Sequence, residues 1–468
     1  MELYLFDQQV YTSRRQQLKQ NFGSDGLILL MGNEDSSMNY KDNTYLFRQD
    51  STFLYYFGLD VPALAAIIDS ETGEEVIFGN ELTIDDIVWT GTLPTVSEMA
   101  SMVGVDRTRP YADIAHYVHK ALTYGRKVHI LPPYRPENKI KLATWFNVSL
   151  DDLADHVSLK LIKSVIGQRV IKSPLEIAEM EKAVNISIDM ELAVIKATRP
   201  GIKEFELVAK AHEVAIANNA RLGYPAIITT HGQTLHTHFY GNTLQEGRMV
   251  LSDIGAENDM HYGGDLTRTF PVGSKFSARQ AELYEVVLTS MDHAISLLKP
   301  GIQYKDIHLA ACTKLAEGLK AAGLMKGDPA EAVEAGAHAM FFQCGLGHML
   351  GMDTHDMEDL GEPYVGYTDT LKKETSIFGL KSLRLGRELE SGFVLTVEPG
   401  IYIIPELIDR WQAEKKFTDF INYEKLNTYR DFGGIRIEDN FLITDDGYNL
   451  LGKYLPKSLK EIEALKGA

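Results

Sequence analysis

The sequence predicts an α/β (α+β) protein of two domains, an N-terminal one over residues 1–170 and a larger one over residues 171–468, on three observations. The chain is 468 residues long, more than one hydrophobic core ordinarily serves. Its first third alternates strand-like and helical segments, the pattern of an α/β layer. Its remainder repeats a turn one hundred residues apart, Arg199-Pro200-Gly201-Ile202-Lys203 and Lys299-Pro300-Gly301-Ile302-Gln303, each between two long helical stretches. A hydrophobic content of 44% suffices for both cores.

From Tyr11 to about Lys163, strands are expected at Gly26–Met31, Ala63–Asp69, Glu75–Phe78 and Lys127–Leu131, with helices between them. Phe53, Tyr55 and Phe57 alternate at strand period and read as packed core. Around Ile171-Lys172-Ser173-Pro174-Leu175-Glu176 the texture changes. Ser173 reads as an N-cap and Pro174 as the first helical position of a long amphipathic helix towards Thr198, which marks the domain boundary. The repeated Pro-Gly turn suggests a duplicated half, with the two copies facing each other across a cleft. Pro-Gly after a helix is also ordinary stop chemistry.

A net charge of −18 argues against nucleic acid or an anionic membrane as partner and points to a small molecule. Two cysteines, Cys312 and Cys344, make no disulfide framework. The start, Met1-Glu2-Leu3-Tyr4-Leu5-Phe6-Asp7, lacks a basic segment followed by an apolar one, and no apolar run reaches membrane-spanning length. A soluble cytoplasmic protein is expected.

Four carboxylates and one histidine carry most of the information, each inside its own motif. They are Asp253 in Leu251-Ser252-Asp253-Ile254-Gly255, Asp265 in Gly264-Asp265-Leu266-Thr267-Arg268-Thr269-Phe270, His348 in Gly345-Leu346-Gly347-His348, Glu398 in Thr396-Val397-Glu398-Pro399-Gly400, and Glu438 in Gly434-Ile435-Arg436-Ile437-Glu438-Asp439. Each lies in or beside a β-branched, apolar stretch, so these groups point into a protected site. Buried carboxylates so close together repel, and some stay protonated, unless cations hold them. Two divalent ions neutralise four carboxylates, and an oxygen-rich set with one imidazole suits a hard ion such as manganese. Asp265, Thr267 and Thr269 share one strand face, which lets Thr267 hydrogen-bond a metal-bound carboxylate or water while Arg268 points away. Arg436, two residues before Glu438, is a fork that could hold a carboxylate or a substrate group, or make a structural salt bridge.

This set, in this order, resembles the metallopeptidases of the pita-bread fold, the group of methionine aminopeptidase, aminopeptidase P and prolidase. The resemblance implies an N-terminal accessory domain followed by a pita-bread (creatinase/aminopeptidase) catalytic domain. It implies that Asp253 binds one ion, His348 and Glu398 the other, and that Asp265 and Glu438 bridge both. A hydroxide held between the ions is then the nucleophile, because bound divalent metal lowers the pKa of water. Glu398 is the family's proton shuttle. His236 falls where the family has a substrate-binding histidine, with His238 as the alternative. His355, in Asp353-Thr354-His355-Asp356, matches the histidine that steadies the tetrahedral intermediate.

One position departs from the pattern. Where relatives have a histidine four residues before the metal-binding one, this chain has Cys344, a weak donor that cannot replace an imidazole and that could also be a small buried filler. Lowered or altered activity is the expectation.

Two stretches resemble prolidase, the Xaa-Pro dipeptidase. One is Gly379-Leu380-Lys381-Ser382-Leu383-Arg384-Leu385-Gly386-Arg387; the other runs from Pro405 to Asp431. Arg384 falls where prolidase grips the free carboxylate of the C-terminal proline, a contact that would measure substrate length. An exposed salt-bridged arginine is the plainer alternative. Phe47-Arg48-Gln49-Asp50-Ser51-Thr52-Phe53-Leu54-Tyr55-Tyr56-Phe57-Gly58 and Val88-Trp89-Thr90-Gly91 are similar to the accessory domain shared by aminopeptidase P and prolidase. The resemblance therefore implies a manganese-dependent homodimer acting on small peptides with proline in second position, as a dipeptidase first and an aminopeptidase P second. A non-catalytic pita-bread binding protein or a metal-free creatinase type would lack these ligands, which are all present.

Overall fold

The computed structural model describes residues 3–467. The chain forms two compact units, one running through Arg169 with the short piece Asp359–Tyr364, the other covering Val170–Glu358 and continuing from Val365.

In the first unit, β1 (Leu27–Met31), β2 (Ala65–Asp69), β3 (Glu75–Phe78), β4 (Thr108–Arg109) and β5 (Val128–His129) make a mixed sheet in the order β4-β3-β2-β1-β5. Every residue of β2 is buried, as a central strand covered on both faces requires. Leu29, Ile67 and Phe78 pack with Ile114 and Val118 of α3 (Asp113–Thr123) and Leu142 and Phe146 of α4 (Pro136–Phe146) in one core. Helices α1 (Gln8–Phe22) and α2 (Ser51–Phe57) lie earlier in the chain.

Helix α2 corrects the sequence reading, which gave Phe53, Tyr55 and Phe57 the period of a strand. Asp50 caps the helix by accepting from the Phe53 N–H at 2.9 Å, and Gly58 ends it at φ 67°. All seven helical residues are buried. A short segment with no solvent face carries no usable period.

The second unit opens with α5 (Pro174–Ala197), started by the expected N-cap Ser173, which the structure shows in a capping box with Glu176. The repeated turn then proves to be a structural repeat. Helices α5 and α6 (Glu204–Ala217) flank the first copy, and α7 (Ala278–Ser296) and α8 (Tyr304–Ala321) the second. Gly201 and Gly301 adopt φ values of 91° and 84°, which only glycine tolerates cheaply. Gly201 N–H donates to the Leu244 carbonyl, and Leu244 N–H returns a bond to Ile202; Gly301 and Ile302 make the same pair with Leu389. Matching hydrogen bonds at both turns favour duplication over generic stop chemistry.

Each half supplies a small sheet. In the first, β6 (Ile227–Thr229), β7 (Met249–Ile254) and β8 (Leu266–Pro271) run in the order β8-β7-β6. In the second, β9 (Val394–Val397), β10 (Gly400–Tyr402), β11 (Gly434–Arg436), β12 (Asp439–Ile443) and β13 (Tyr448–Leu450) give the three-stranded β9-β12-β13 and the pair β10-β11. The halves join at a bridge between Thr267 and Glu438, whose N–H donates to the Thr267 carbonyl at 3.0 Å. Asp253 stands opposite Thr267 in the β7/β8 register. Among the described residues no helix is long and apolar enough to cross a membrane.

Candidate active site

The junction of the two halves brings the five expected ligand residues together. Asp253 extends from β7, and Asp265 immediately precedes β8. The Asn440 side chain clamps the Asp265 backbone, accepting from its N–H at 3.1 Å and donating to its carbonyl at 2.5 Å. His348 and Glu398 are held side by side through β9. Glu398 N–H donates to the Leu346 carbonyl at 2.8 Å, and Thr396 N–H to the His348 carbonyl at 3.0 Å. Gly347 has to be glycine because a Cβ there would strike the Thr396 carbonyl and the Tyr304 hydroxyl. Glu438, between β11 and β12, accepts from Thr267 Oγ1 at 2.7 Å, the bond the strand-face argument called for.

The histidine tautomer follows from its neighbours. His348 Nδ1 lies 3.0 Å from the Met349 carbonyl and so carries the proton, leaving the Nε2 lone pair 3.3 Å from Asp265 Oδ2 and 3.5 Å from Glu398 Oε1. That is the arrangement of a metal-ligating imidazole. One donor atom each from Asp265, His348 and Glu438 lies within 4.8 Å of the others.

Electrostatics make the same demand. Burial, then the neighbouring Asp253 charge, pushes Asp265 up to about 7. Burial and the charges of Asp265 and Glu398 hold Glu438 far above the usual carboxylate range, and burial raises Glu398 despite the opposing His348. The Tyr224 hydroxyl lies 2.6 Å from Asp253 Oδ1 and 2.5 Å from Asp265 Oδ1. It has one proton to offer two carboxylates, so cations or extra protons must balance the rest. Oxygen-rich donors, a lone pair turned inward and uncompensated negative charge together fit divalent metal.

A pH prediction follows for protein stripped of metal. A carboxyl with its folded pKa raised to about 7 binds more protons folded than unfolded, so its contribution is present at low pH and lost as pH rises through 7. The thermal midpoint of chelated protein is expected to fall between about pH 5 and 8, and stabilisation by added Mn2+ to grow over the same interval. A midpoint independent of pH across that range would contradict it.

The cleft has a volume of about 440 Å³ and is lined by Tyr224, His236, His238, Cys344, His355, Arg384 and Arg436 in addition to the five candidate ligand residues. Of the offices open to Arg436, the structure shows the holding of a carboxylate. Its Nη2 pairs with Asp253, Nη1 donates to Tyr402 at 2.9 Å and Nε to Thr267 at 3.1 Å, so this buried fork orients one of the candidate ligand residues. His236 and His238 sit on an exposed coil at the rim. Burial by the cleft wall, then Arg436, lowers the pKa of His236.

Two contributors escaped sequence reasoning. Tyr224 had no motif to mark it. Glu358 holds His355 Nδ1 at 2.5 Å and Arg384 Nε at 3.3 Å, and these contacts, His355 foremost, bring its pKa to about 2. An acid three residues after a candidate histidine was the available signal. The His355 ring also meets the His348 ring edge to face at 4.3 Å.

The profile of Metallopeptidase family M24 matches residues 178–445, and that of the Aminopeptidase P, N-terminal domain, residues 11–131. Xaa-Pro dipeptidase of Homo sapiens is 31% identical, covering 94% of this chain and 88% of its own. Probable Xaa-Pro aminopeptidase pepP of Aspergillus fumigatus is 31% identical, covering 95% and 93%. An Escherichia coli aminopeptidase P variant solved in complex with substrate superposes with a TM-score of 0.81 at 28% identity, over 99% of both chains. Other structures of that enzyme carry alanine in place of histidines spaced four and then seven residues apart, the spacing of Cys344, His348 and His355 here. The second unit has the pita-bread fold and follows an aminopeptidase P N-terminal domain. With a profile spanning more than half of its residues and a human relative matched along nearly all of it, the chain belongs to metallopeptidase family M24.

Proposed function

We propose that this protein hydrolyses the peptide bond before proline and acts first as an Xaa-Pro dipeptidase. The observation that carries the reading is Arg384, a partly exposed cation on the cleft wall, steadied by Glu358 beside His355. A guanidinium there suits the free carboxylate of a dipeptide, which lies one residue from the scissile bond. Aminopeptidase P activity on longer peptides is the second reading, favoured by the full-length likeness to aminopeptidase P structures.

Asp253, Asp265, His348, Glu398 and Glu438 would hold two divalent ions, manganese by the hardness of the donors. When bound, the ions neutralise the carboxylates, acidify water and polarise the substrate carbonyl. Glu398 accepts the proton of the attacking water and returns it to the leaving nitrogen. Glu358 takes the Nδ1 proton of His355 as a hydrogen bond, leaving Nε2 for the reaction. Burial, then the neighbouring His348, lowers the pKa of His355, so Nε2 donates to the carbonyl oxygen only after taking up a proton from solvent, an uptake that the negative charge developing on that oxygen favours in the transition state over bound substrate. His236 and His238 contact the peptide at the rim. Cytoplasmic location and a homodimer remain expectations of the resemblance.

Amine release by manganese-loaded protein from Ala-Pro, Ala-Pro-Ala and Ala-Ala tests this reading. Cleavage of Ala-Pro alone is expected. Preference for Ala-Pro-Ala moves the assignment to the aminopeptidase, and cleavage of none, or of Ala-Ala equally, overturns proline specificity.

Cys344 should limit the rate. Burial, then the Glu398 charge, pushes its thiol up to about 12, so it stays neutral and donates weakly, 3.8 Å from the Tyr402 hydroxyl. Cys344→His is expected to raise turnover on the preferred peptide by at least about tenfold, set against the roughly 100- to 1000-fold that one fully oriented donor contributes. No rise on any proline-containing peptide would count against this role.

A further inference from the structure

A second group of metal-ligating side chains stands apart from the five cleft ligands. His308 and Cys312 lie one turn apart on the same face of α8, and His338 comes from the short 3-10 turn Ala337–Met340. They are 1%, 0% and 3% exposed. One donor atom from each lies within 4.8 Å of the other two, and Cys312 Sγ is 3.6 Å from His308 Nε2.

As ordinary core this cluster is poorly satisfied. Neither ring nitrogen of His338 has a hydrogen-bond partner; the Val333 backbone lies near enough to raise its pKa slightly without bonding geometry. A neutral imidazole carries one donor and one acceptor, and burying such groups unpaired forfeits their hydrogen bonds to water without replacement. His308 meets the Cys312 thiol, itself a weak partner. Burial drives both rings to the neutral, ligating form, His308 to about 3 and His338 to about 4, with Lys305 adding to the effect on His308.

The geometry suits an ion of a different kind from that of the cleft. Sulfur and nitrogen donors around a tetrahedral ion, bound at about 2.3 and 2.0 Å, lie about 3.5 Å apart, so the Cys312–His308 pair already has ligand spacing. One thiolate with two imidazoles prefers a soft or borderline closed-shell ion over manganese. We propose that His308, Cys312 and His338 form a structural site for one thiophilic ion, Zn2+ or Cu+. Cys312 gives up its thiol proton to solvent on binding. Charge balance then favours Cu+, because one thiolate cancels it, whereas Zn2+ leaves a buried positive charge and requires a fourth donor. Such an ion ties α8 to the segment that continues from the 3-10 turn, through Phe342 against the His308 ring at 5.7 Å, to Cys344 and His348. It would brace one wall of the cleft from behind.

The test uses full-length protein in a Cys344→Ser background, which leaves Cys312 as the one thiol. Protein from cells grown with added zinc or added copper is dialysed against a chelator, then examined by metal mass spectrometry and X-ray absorption. About one equivalent of zinc or copper is expected to remain, with one sulfur and two nitrogens in its shell, and the metal retained identifies the ion. Adding Cys312→Ser should lower the retained metal at least about tenfold while Mn2+ uptake by the cleft persists. Protein that retains neither metal, retains it without a sulfur ligand, or retains it undiminished after Cys312→Ser overturns the proposal. The absorption spectrum decides the matter even if the serine variant folds poorly.

Discussion

Replacing Glu438 by alanine is expected to lower kcat/KM on the preferred peptide by at least about 1000-fold, or about 4 kcal/mol of transition-state stabilisation. Loss of a group that merely orients a metal ligand typically costs about 10- to 100-fold, and Glu438 stands at the join of the two halves, where it would serve both ions. The Thr267 hydroxyl loses its acceptor at the same stroke. Metal analysis should show fewer than about two manganese ions per chain. Failure to fold is separable from failure to bind. Because burial already holds the Glu438 carboxyl far toward its protonated form without metal, metal-free Glu438→Gln should be at least as stable as metal-free parent. A variant that keeps both ions and more than about a tenth of the activity would remove Glu438 from the ligand set.

Arg384→Ala is expected to reduce kcat/KM on Ala-Pro by about 10- to 100-fold while changing Ala-Pro-Ala by less than about threefold, since a charge-assisted hydrogen bond to a carboxylate contributes about 1.5–3 kcal/mol. The side chain is 31% exposed on the cleft wall, available to a substrate carboxylate yet held by Glu358. Arg384→Lys should recover part of the loss, as charge returns without the planar fork. The shared acid makes a necessary control: Glu358→Gln disturbs His355 as well and should slow both peptides. Equal losses on dipeptide and tripeptide after Arg384→Ala would end the length-gauge argument and leave Arg384 as a structural partner of Glu358.

Legibility in the sequence followed the range of the interactions. Ser173 and Pro174 announced α5 because capping is settled within four residues. The hundred-residue echo announced the duplicated half because each copy must solve the same turn with a positive-φ glycine. The five candidate ligand motifs were readable through their resemblance, in order, to those of the pita-bread metallopeptidases, and the tight approach at Gly347 accounts for the local pattern of one of them. Residues Ser51–Phe57 misled because burial on every side of a short helix erases the period that separates helix from strand.

By itself, then, the sequence suggested a two-part organisation and a duplicated design, and it singled out the acids and the histidine that the structure gathers at the junction. All of these depend on local propensity or on short motifs kept in order. The tertiary structure alone decided how those groups meet: the Thr267–Glu438 bridge, the commitment of Arg436 to Asp253, the Tyr224 hydroxyl between two carboxylates and the sharing of Glu358 by His355 and Arg384. Each joins residues from separate segments at hydrogen-bond range, and pairings of that kind are set by how strands register and halves pack, which no local pattern encodes.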